Sequence, residues 1–251
     1  MSKTGSAAKV KLNSFDDLFG TEQPQTGTEQ VQEIALSELH EFKGHPFKVL
    51  DDEKMQETME SIREHGVLMP GIARPMKDGG YEIIAGHRRR HACEIVGLDT
   101  IPMFIRDYTD DEATIIMVDS NIQREDILPS EKAKAYKMKY EAMKHQGSRA
   151  GGLTLDELGE AAGESAKTVQ RYIYLAHLSD ALLDMVDKKK IGIVQGVELS
   201  FLTEQQQEWV QVVLEETGVI ISTVQASKLK EYGKSDELTL PMVRLILTEP
   251  K

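Results

Sequence analysis

Between Ala85 and Ala92 the chain reads Gly86-His87-Arg88-Arg89-Arg90-His91, a glycine followed within two residues by three consecutive arginines. The apolar run Tyr81–Ala85 before it is expected to form a strand. His87 to Val96 is expected to form a helix closed by Gly97. The first turn of such a helix leaves backbone N–H groups unpaired and carries the positive end of the helix dipole. Gly86 would let a ligand come close to the backbone. Arg88, Arg89 and Arg90 put cations at the end where the dipole disfavours them, and a bound phosphate would offset that cost. The competing reading is a solvated basic face paired with Glu82 or Glu94.

A second polar cluster, Asn121-Ile122-Gln123-Arg124, follows the apolar positions Ile115, Ile116 and Val118 of a helix expected over Asp110–Asn121. The Asn121 amide offers a neutral oxygen to a divalent ion, and Arg124 offers a two-pronged donor to phosphate. A polar helix end explains the same residues without any ligand.

The third feature lies in Thr154–Leu178. Thr154 and Glu157 have capping-box spacing, Leu155 and Leu158 are apolar, and Gly159 is small where a second helix would cross. Gly163 supplies a turn and Ser165 a second cap, with Val169 and Tyr172 facing the first helix. Ser165, Lys167, Thr168, Gln170 and Arg171 then point outward, donors and acceptors suited to base edges and phosphates of a major groove. An ordinary helical hairpin shares the turn and the apolar spacing, but not the polar outer face in register.

The elements that would hold these residues can be read from periodicity. Met55, Met59 and Ile62 recur at helical spacing over Asp51–His65, and Gly66 follows as a stop. Ile72–Arg74 and Tyr81–Ala85 flank Lys77-Asp78-Gly79-Gly80, a hairpin signal, and Ile101–Ile105 is another strand. Ser130–Lys144 is helical after Pro129, and 145–152 has the glycine content of a linker. More helices follow, one around Gln205–Glu216, and Met242–Leu247 is an apolar patch able to pair with a second chain. Residues 1–30 read as a flexible tail whose patch of Phe15, Leu18 and Phe19 could dock a partner. The expected divisions are 1–30, the tail; 31–106, a nucleotide-binding domain; 107–146, linking helices that complete the site; 147–215, a DNA-binding domain; and 216–251, a C-terminal segment for dimerisation. The fold class is α+β, a small mixed α/β domain followed by an all-α helix–turn–helix domain.

Composition bounds the rest. With 30 Lys and Arg against 42 Asp and Glu the 251-residue chain carries −12, yet a reading helix needs only local basic residues. No apolar run approaches the roughly 20 residues of a membrane span. The N-terminus lacks the apolar core of a signal peptide, so a cytoplasmic location is expected. A single cysteine, Cys93, excludes an intramolecular disulfide framework and a Cys-rich zinc site.

Taken in order, these features resemble the ParB family of chromosome and plasmid partition proteins and its nucleoid-occlusion relatives, over about residues 31–215. The family motif Gly-Glu-Arg-Arg-x-Arg-Ala is matched by Gly86-His87-Arg88-Arg89-Arg90-His91-Ala92. Glu-Asn-x-Gln-Arg-x-x-Leu-x-Pro-x-Glu-x-Ala is matched by the stretch from Ser120 through Pro129 and Glu131 to Ala133. Met69-Pro70 stands where the family carries Gln-Pro before a strand. The resemblance implies a domain that binds CTP with Mg2+ and a helix–turn–helix on a palindromic site in double-stranded DNA. It also implies a homodimer closing as a clamp, a ParA-like ATPase partner, and association with a nucleoid or plasmid. Carried over by position, Gly86, Arg88 and Arg89 contact the triphosphate, Asn121 lies near the metal and Arg124 near phosphate, with His87 and Ser120 in the same nucleotide-binding stretches. His87 and Ser120 replace glutamates that many members tie to the metal and to hydrolysis, and Asp119 should point elsewhere on its helix. Binding of CTP with weak turnover or none is therefore expected. The rivals are a nucleotide-independent transcription regulator, a ParB-like nuclease, and a sulfiredoxin, whose reactive cysteine would stand where His87 does.

Overall fold

The protein is described by a computed structural model covering residues 31–124, 126–145, 155–160, 162–235 and 237–249. Gly79 and Gly80 both adopt positive φ, 94° and 74°, as a tight hairpin turn demands. Strand β3 (Gly71–Pro75) is thereby folded antiparallel onto β4 (Tyr81–Ala85). Strand β5 (Thr100–Ile105) runs parallel to β3, and β1 (Val31–Ala35) is antiparallel to β5. Two residues, Leu39–His40, form β2 parallel to β4, giving the order β1-β5-β3-β4-β2. Strands β1 and β2 escape the sequence reading, because Val-Gln-Glu-Ile-Ala alternates weakly and a two-residue strand has no period at all.

Successive residues of β3 and β4 serve opposite faces, as the pleat requires. Ala73 and Ile83 pack with Met55 and Ile62 of α1 (Glu53–His65) and with Ala92 and Cys93 of α2 (His87–Val96). Ile72 and Ile84 pack on the other side with Phe42, Phe47, Met117 of α3 (Asp110–Asp119) and Tyr136 of α4 (Pro129–His145). Helix α3 ends two residues before its expected end. The Ser120 hydroxyl and the Asn121 amide both donate to the Met117 carbonyl (both 2.9 Å), taking up an acceptor at the helix terminus and leaving Asn121 in the turn beyond it.

The rest is helical: α5 (Leu155–Glu160), α6 (Ala166–Leu175), α7 (Asp180–Asp187), α8 (Ile193–Leu199), α9 (Glu204–Thr217), α10 (Thr223–Lys234) and α11 (Leu240–Thr248). Their core joins Leu175, Leu182, Leu199, Val210, Leu229 and Val243. The patch Met242–Leu247, expected as a pairing surface, corrects to a largely internal one. Val243, Ile246 and Leu247 are buried in this core with Val210 of α9 and Leu229 of α10, and the Gln225 side-chain amide of α10 donates to the Ile246 and Leu247 carbonyls (3.0 and 3.1 Å), holding α11 against its own chain. Of the apolar residues in the patch, Leu245 is the strongly exposed one.

Helix α4 belongs to both halves. The Ser130 backbone N–H donates to Asp187 (2.9 Å), Lys132 pairs with Glu164, and the Tyr136 hydroxyl donates to the same carboxylate (2.9 Å). Leu158 and Val169 of the helix pair enter the apolar cluster that includes Ile84. No helix among the described residues is long and apolar enough to cross a membrane.

Candidate functional site

The β4–α2 junction has the predicted strand–glycine–helix form. Gly86 stands at φ 110°, a left-handed conformation in which a side chain would be strained, and a Cβ there would lie 3.2 Å from Gly71 Cα. Gly71 is equally constrained, since its own Cβ would meet the Ala85 carbonyl oxygen at 2.8 Å. Two bare backbones therefore touch beside the first turn of α2.

The three arginines do not form one solvated basic face. Arg88 donates to Asp52 (2.7 Å), the residue that caps α1. That hydrogen bond, with the Met55 N–H, holds the Asp52 carboxyl down to about 2. Arg89 is drawn inward and donates to the carbonyls of Met69 and Pro70, the latter at 2.9 Å. Burial lowers its pKa, a cost that the two carbonyls help to offset. Arg90 pairs with Glu94 (2.8 Å) and more loosely with Glu41 (3.6 Å). Glu82, the other expected partner, is taken by Arg74 at 2.6 Å, which also reaches Asp110 (2.7 Å). Each arginine thus braces a different segment around the Gly86 turn: the cap of α1, the Met69-Pro70 loop, and the outer face of α2.

His87 turns toward the loop before α1 and lies against His45, with ring centroids 3.9 Å apart. Burial, reinforced by His45 and Arg90, lowers its pKa to about 3, so the ring is neutral at neutral pH. Arg124 is close enough to act on His45 electrostatically, which brings the second sequence cluster to the Gly86 turn. The carboxylate of Glu131, buried at the start of α4, accepts from the backbone N–H of Lys48 (2.8 Å) and of Leu128 (3.0 Å). Asp119 is paired with buried Lys139. Gly86, His87, Arg88 and Arg89 therefore gather at one turn with Arg124 beside it. Ser120 and Asn121 spend their side-chain donors on the end of α3.

At the helix pair, Thr154 and its expected capping box fall outside the described residues. Gly163 takes φ 67° at the turn. The Ser165 hydroxyl accepts from Thr168 N–H and caps α6. Gly159 is needed where it stands, because a Cβ would collide with the Glu164 carbonyl oxygen. Ser165, Lys167, Gln170 and Arg171 are exposed and Thr168 is half-buried, while Val169 is fully buried. Neither Lys167 nor Arg171 has an ion-pair partner among the described residues. The outer face of α6 is thus polar, with two uncommitted cations one helical turn apart.

A model of the ParB N-terminal domain matches residues 20–122. A probable chromosome 1-partitioning protein ParB of Deinococcus radiodurans is 32% identical over 212 residues, covering 84% of this chain and 70% of that protein. The chain belongs to the ParB family. A probable chromosome-partitioning protein ParB of Pseudomonas putida is 34% identical over 179 residues, covering 71% of this chain. The match spans 59% of the length of that Pseudomonas relative. Among solved structures, a C-terminally truncated ParB of Caulobacter crescentus complexed to its parS site matches at a TM-score of 0.47 and 22% identity, over 80% of this chain and 98% of that one.

Sequence reasoning misses the residues that come from far along the chain. His45 and Asp52 reach the turn only through tertiary packing. Gly71, which precedes Ile72 in an expected strand, is the available signal, since an isolated glycine at a strand often marks close backbone approach.

Proposed function

We propose that this chain is a partition protein that binds a palindromic site in double-stranded DNA as a homodimer, under the control of CTP bound at the Gly86 turn. The observation that carries the reading is the outer face of α6. It is held rigidly by the close packing of Gly159 on Glu164 and presents Lys167, Gln170 and Arg171 without competing ion pairs. A helix set at such a turn enters the major groove with its first residues on base edges. Ser165 and Thr168 bond each other at 2.9 Å, so they position the N-terminus of α6 and offer remaining valences to a phosphate. Family membership supports segregation of a chromosome or plasmid as the role, with a ParA-like ATPase as motor and a cytoplasmic, nucleoid- or plasmid-associated location.

For CTP, Gly86 and the free N–H groups of α2 face the triphosphate, and Arg88 and Arg124 supply charge beside them. Arg89 holds the Met69-Pro70 loop that borders the site. Mg2+ fits this donor set poorly. It favours one or two carboxylates, and the matched positions hold His87, Ser120 and Asn121, with Asp119 engaged by Lys139. Binding without efficient hydrolysis follows from the same donor set.

The test is fluorescence anisotropy on a palindromic duplex selected from a random library. Lys167→Ala with Arg171→Ala should weaken binding by about 1–3 kcal/mol for each base that the protein ceases to read. Affinity unchanged in the double variant would reject the DNA-reading role. DNA binding that persists while calorimetry finds no heat with any of four nucleoside triphosphates would favour the nucleotide-independent regulator.

A further inference from the structure

Helix α4 grips α6 through one carboxylate and one aromatic ring. Lys132 and Tyr136, four residues apart on α4, share a face and reach Glu164 together. The Lys132 ammonium takes one carboxylate oxygen, and the Tyr136 hydroxyl donates to the other at 2.9 Å. Tyr136 is fully buried, and burial beside Glu164 pushes its pKa up, so the hydroxyl keeps the proton it donates. The same two side chains meet Tyr172 of α6. The ammonium stands 5.1 Å from the centre of the Tyr172 ring, and the Tyr136 ring lies 6.0 Å from it, centroid to centroid. Glu164 directly precedes Ser165, the cap of α6, and Tyr172 follows roughly two turns later. The helix is therefore held at both ends of its reading portion.

The Lys132 and Glu164 side chains are 20% and 18% exposed. A pair so nearly buried adds little net stability, because stripping water from both charges offsets most of their attraction. What it supplies is direction. Charge-assisted hydrogen bonds to both oxygens of one carboxylate admit a single arrangement, where apolar packing tolerates several. Lys167, Gln170 and Arg171 ride on the same short helix as Tyr172, so a tilt at the grip becomes a displacement at their tips. We propose that Lys132, Tyr136, Glu164 and Tyr172 are positioning residues for base readout. They set the angle of α6 against the rest of the fold, and through it the discrimination between a cognate palindrome and any other duplex. This rests on the reading of α6 as the DNA-reading helix. Non-specific binding draws on charge near the phosphates and is far less sensitive to that angle.

The experiment measures the affinity of the full chain for the selected palindromic duplex and for a scrambled duplex of equal length, at one salt concentration, beside thermal midpoints. Lys132→Met with Glu164→Gln removes both charges, leaves the net charge unchanged and nearly keeps the volume. The ratio of the two affinities should fall about tenfold, the effect of one mismatched base pair, through loss on the palindrome alone. The thermal midpoint should hold or rise. Lys132→Arg returns a cation to the carboxylate and to the ring face, and should recover the ratio to within about twofold of the wild type. Tyr136→Phe deletes a single oxygen and should lower the ratio at least about threefold. It decides the matter if the double variant does not fold. A ratio unchanged in Tyr136→Phe and in the folded double variant overturns the inference and leaves the DNA-reading role standing. An equal loss on both duplexes that follows a lowered midpoint assigns the cluster to stability alone and overturns it too. A wild-type ratio near one overturns both the inference and the reading beneath it.

Discussion

Gly159→Ala tests the helix pair at its joint. The added methyl would collide with the Glu164 carbonyl oxygen and lie 3.1 Å from the Glu164 carbonyl carbon and 3.3 Å from Val169 Cγ2. The first two obstacles are backbone, and they cannot swing aside as a side chain would. Glu164 is moreover tied in place: its N–H donates to Gly159 O at 2.9 Å, and its carboxylate is held by Lys132 and Tyr136. Overpacking of a fixed core costs about 1–3 kcal/mol, and obstruction by backbone argues for the upper half of that range. Replacing a helical glycine by alanine returns roughly 0.5–1 kcal/mol. A net loss of about 1–2.5 kcal/mol is expected, visible as a lower urea midpoint with an unchanged slope. Opening the turn also re-aims Lys167 and Arg171, so specific DNA affinity should fall by about tenfold or more, at roughly 1.4 kcal/mol per decade. A variant with the wild-type midpoint and the wild-type affinity would refute the close-packed joint.

Arg88→Ala should abolish triphosphate binding measured by calorimetry while leaving specific DNA binding intact. Arg89→Ala should do the same and additionally speed amide exchange in the Met69-Pro70 loop that its guanidinium holds. Asp52 has its folded pKa depressed to about 2, so its stabilising contribution is present above the ordinary aspartate range and disappears as pH falls toward about 2. Asp52→Asn should therefore flatten the acid limb of a thermal-stability profile over that window. His87→Glu with Ser120→Glu should raise phosphate release from CTP in Mg2+, as seen in a coupled phosphate assay; no change would reject the positional match, and robust DNA-stimulated release from the unaltered protein would show that Asp119 or another acid serves the metal.

The local elements are legible because their signals are local. The hairpin around Gly79 and Gly80, the helix after Gly86 and the cap at Ser165 depend on neighbours within a few residues, and each stands where spacing puts it. The outward set on α6 is readable for the same reason, since a buried Val169 fixes which residues face away. The arginine run reads as a single charge patch in sequence and is divided in the fold, because the partners that divide it, Asp52, Met69 and Pro70, are remote along the chain. The apolar patch near the C-terminus misleads in the opposite sense. Apolar periodicity states that a face is covered, and it does not state whether the cover is another helix of the same chain or a second protomer. His45 has no signal of its own, as a lone histidine in a loop carries no period.

Because α4 contributes Tyr136 to the apolar layer under the sheet and Ala133 to the core of the later helices, the two halves share a wall. Proteolysis should feel this. A cut made within the sheet-bearing part strips the cover from Tyr136, and one made before α4 separates the sheet from the helix that seals it. Removal of α4 itself would leave Asp187 and Glu164 without the Ser130, Lys132 and Tyr136 donors they now hold. Neither fragment inherits a finished surface, so each would carry a fresh apolar scar or a stranded carboxylate. For such a chain, separating the nucleotide-facing part from the DNA-facing part is an operation on its stability first and on its function second. Exchange of one half between family members would succeed only where α4 travels with both sets of its neighbours.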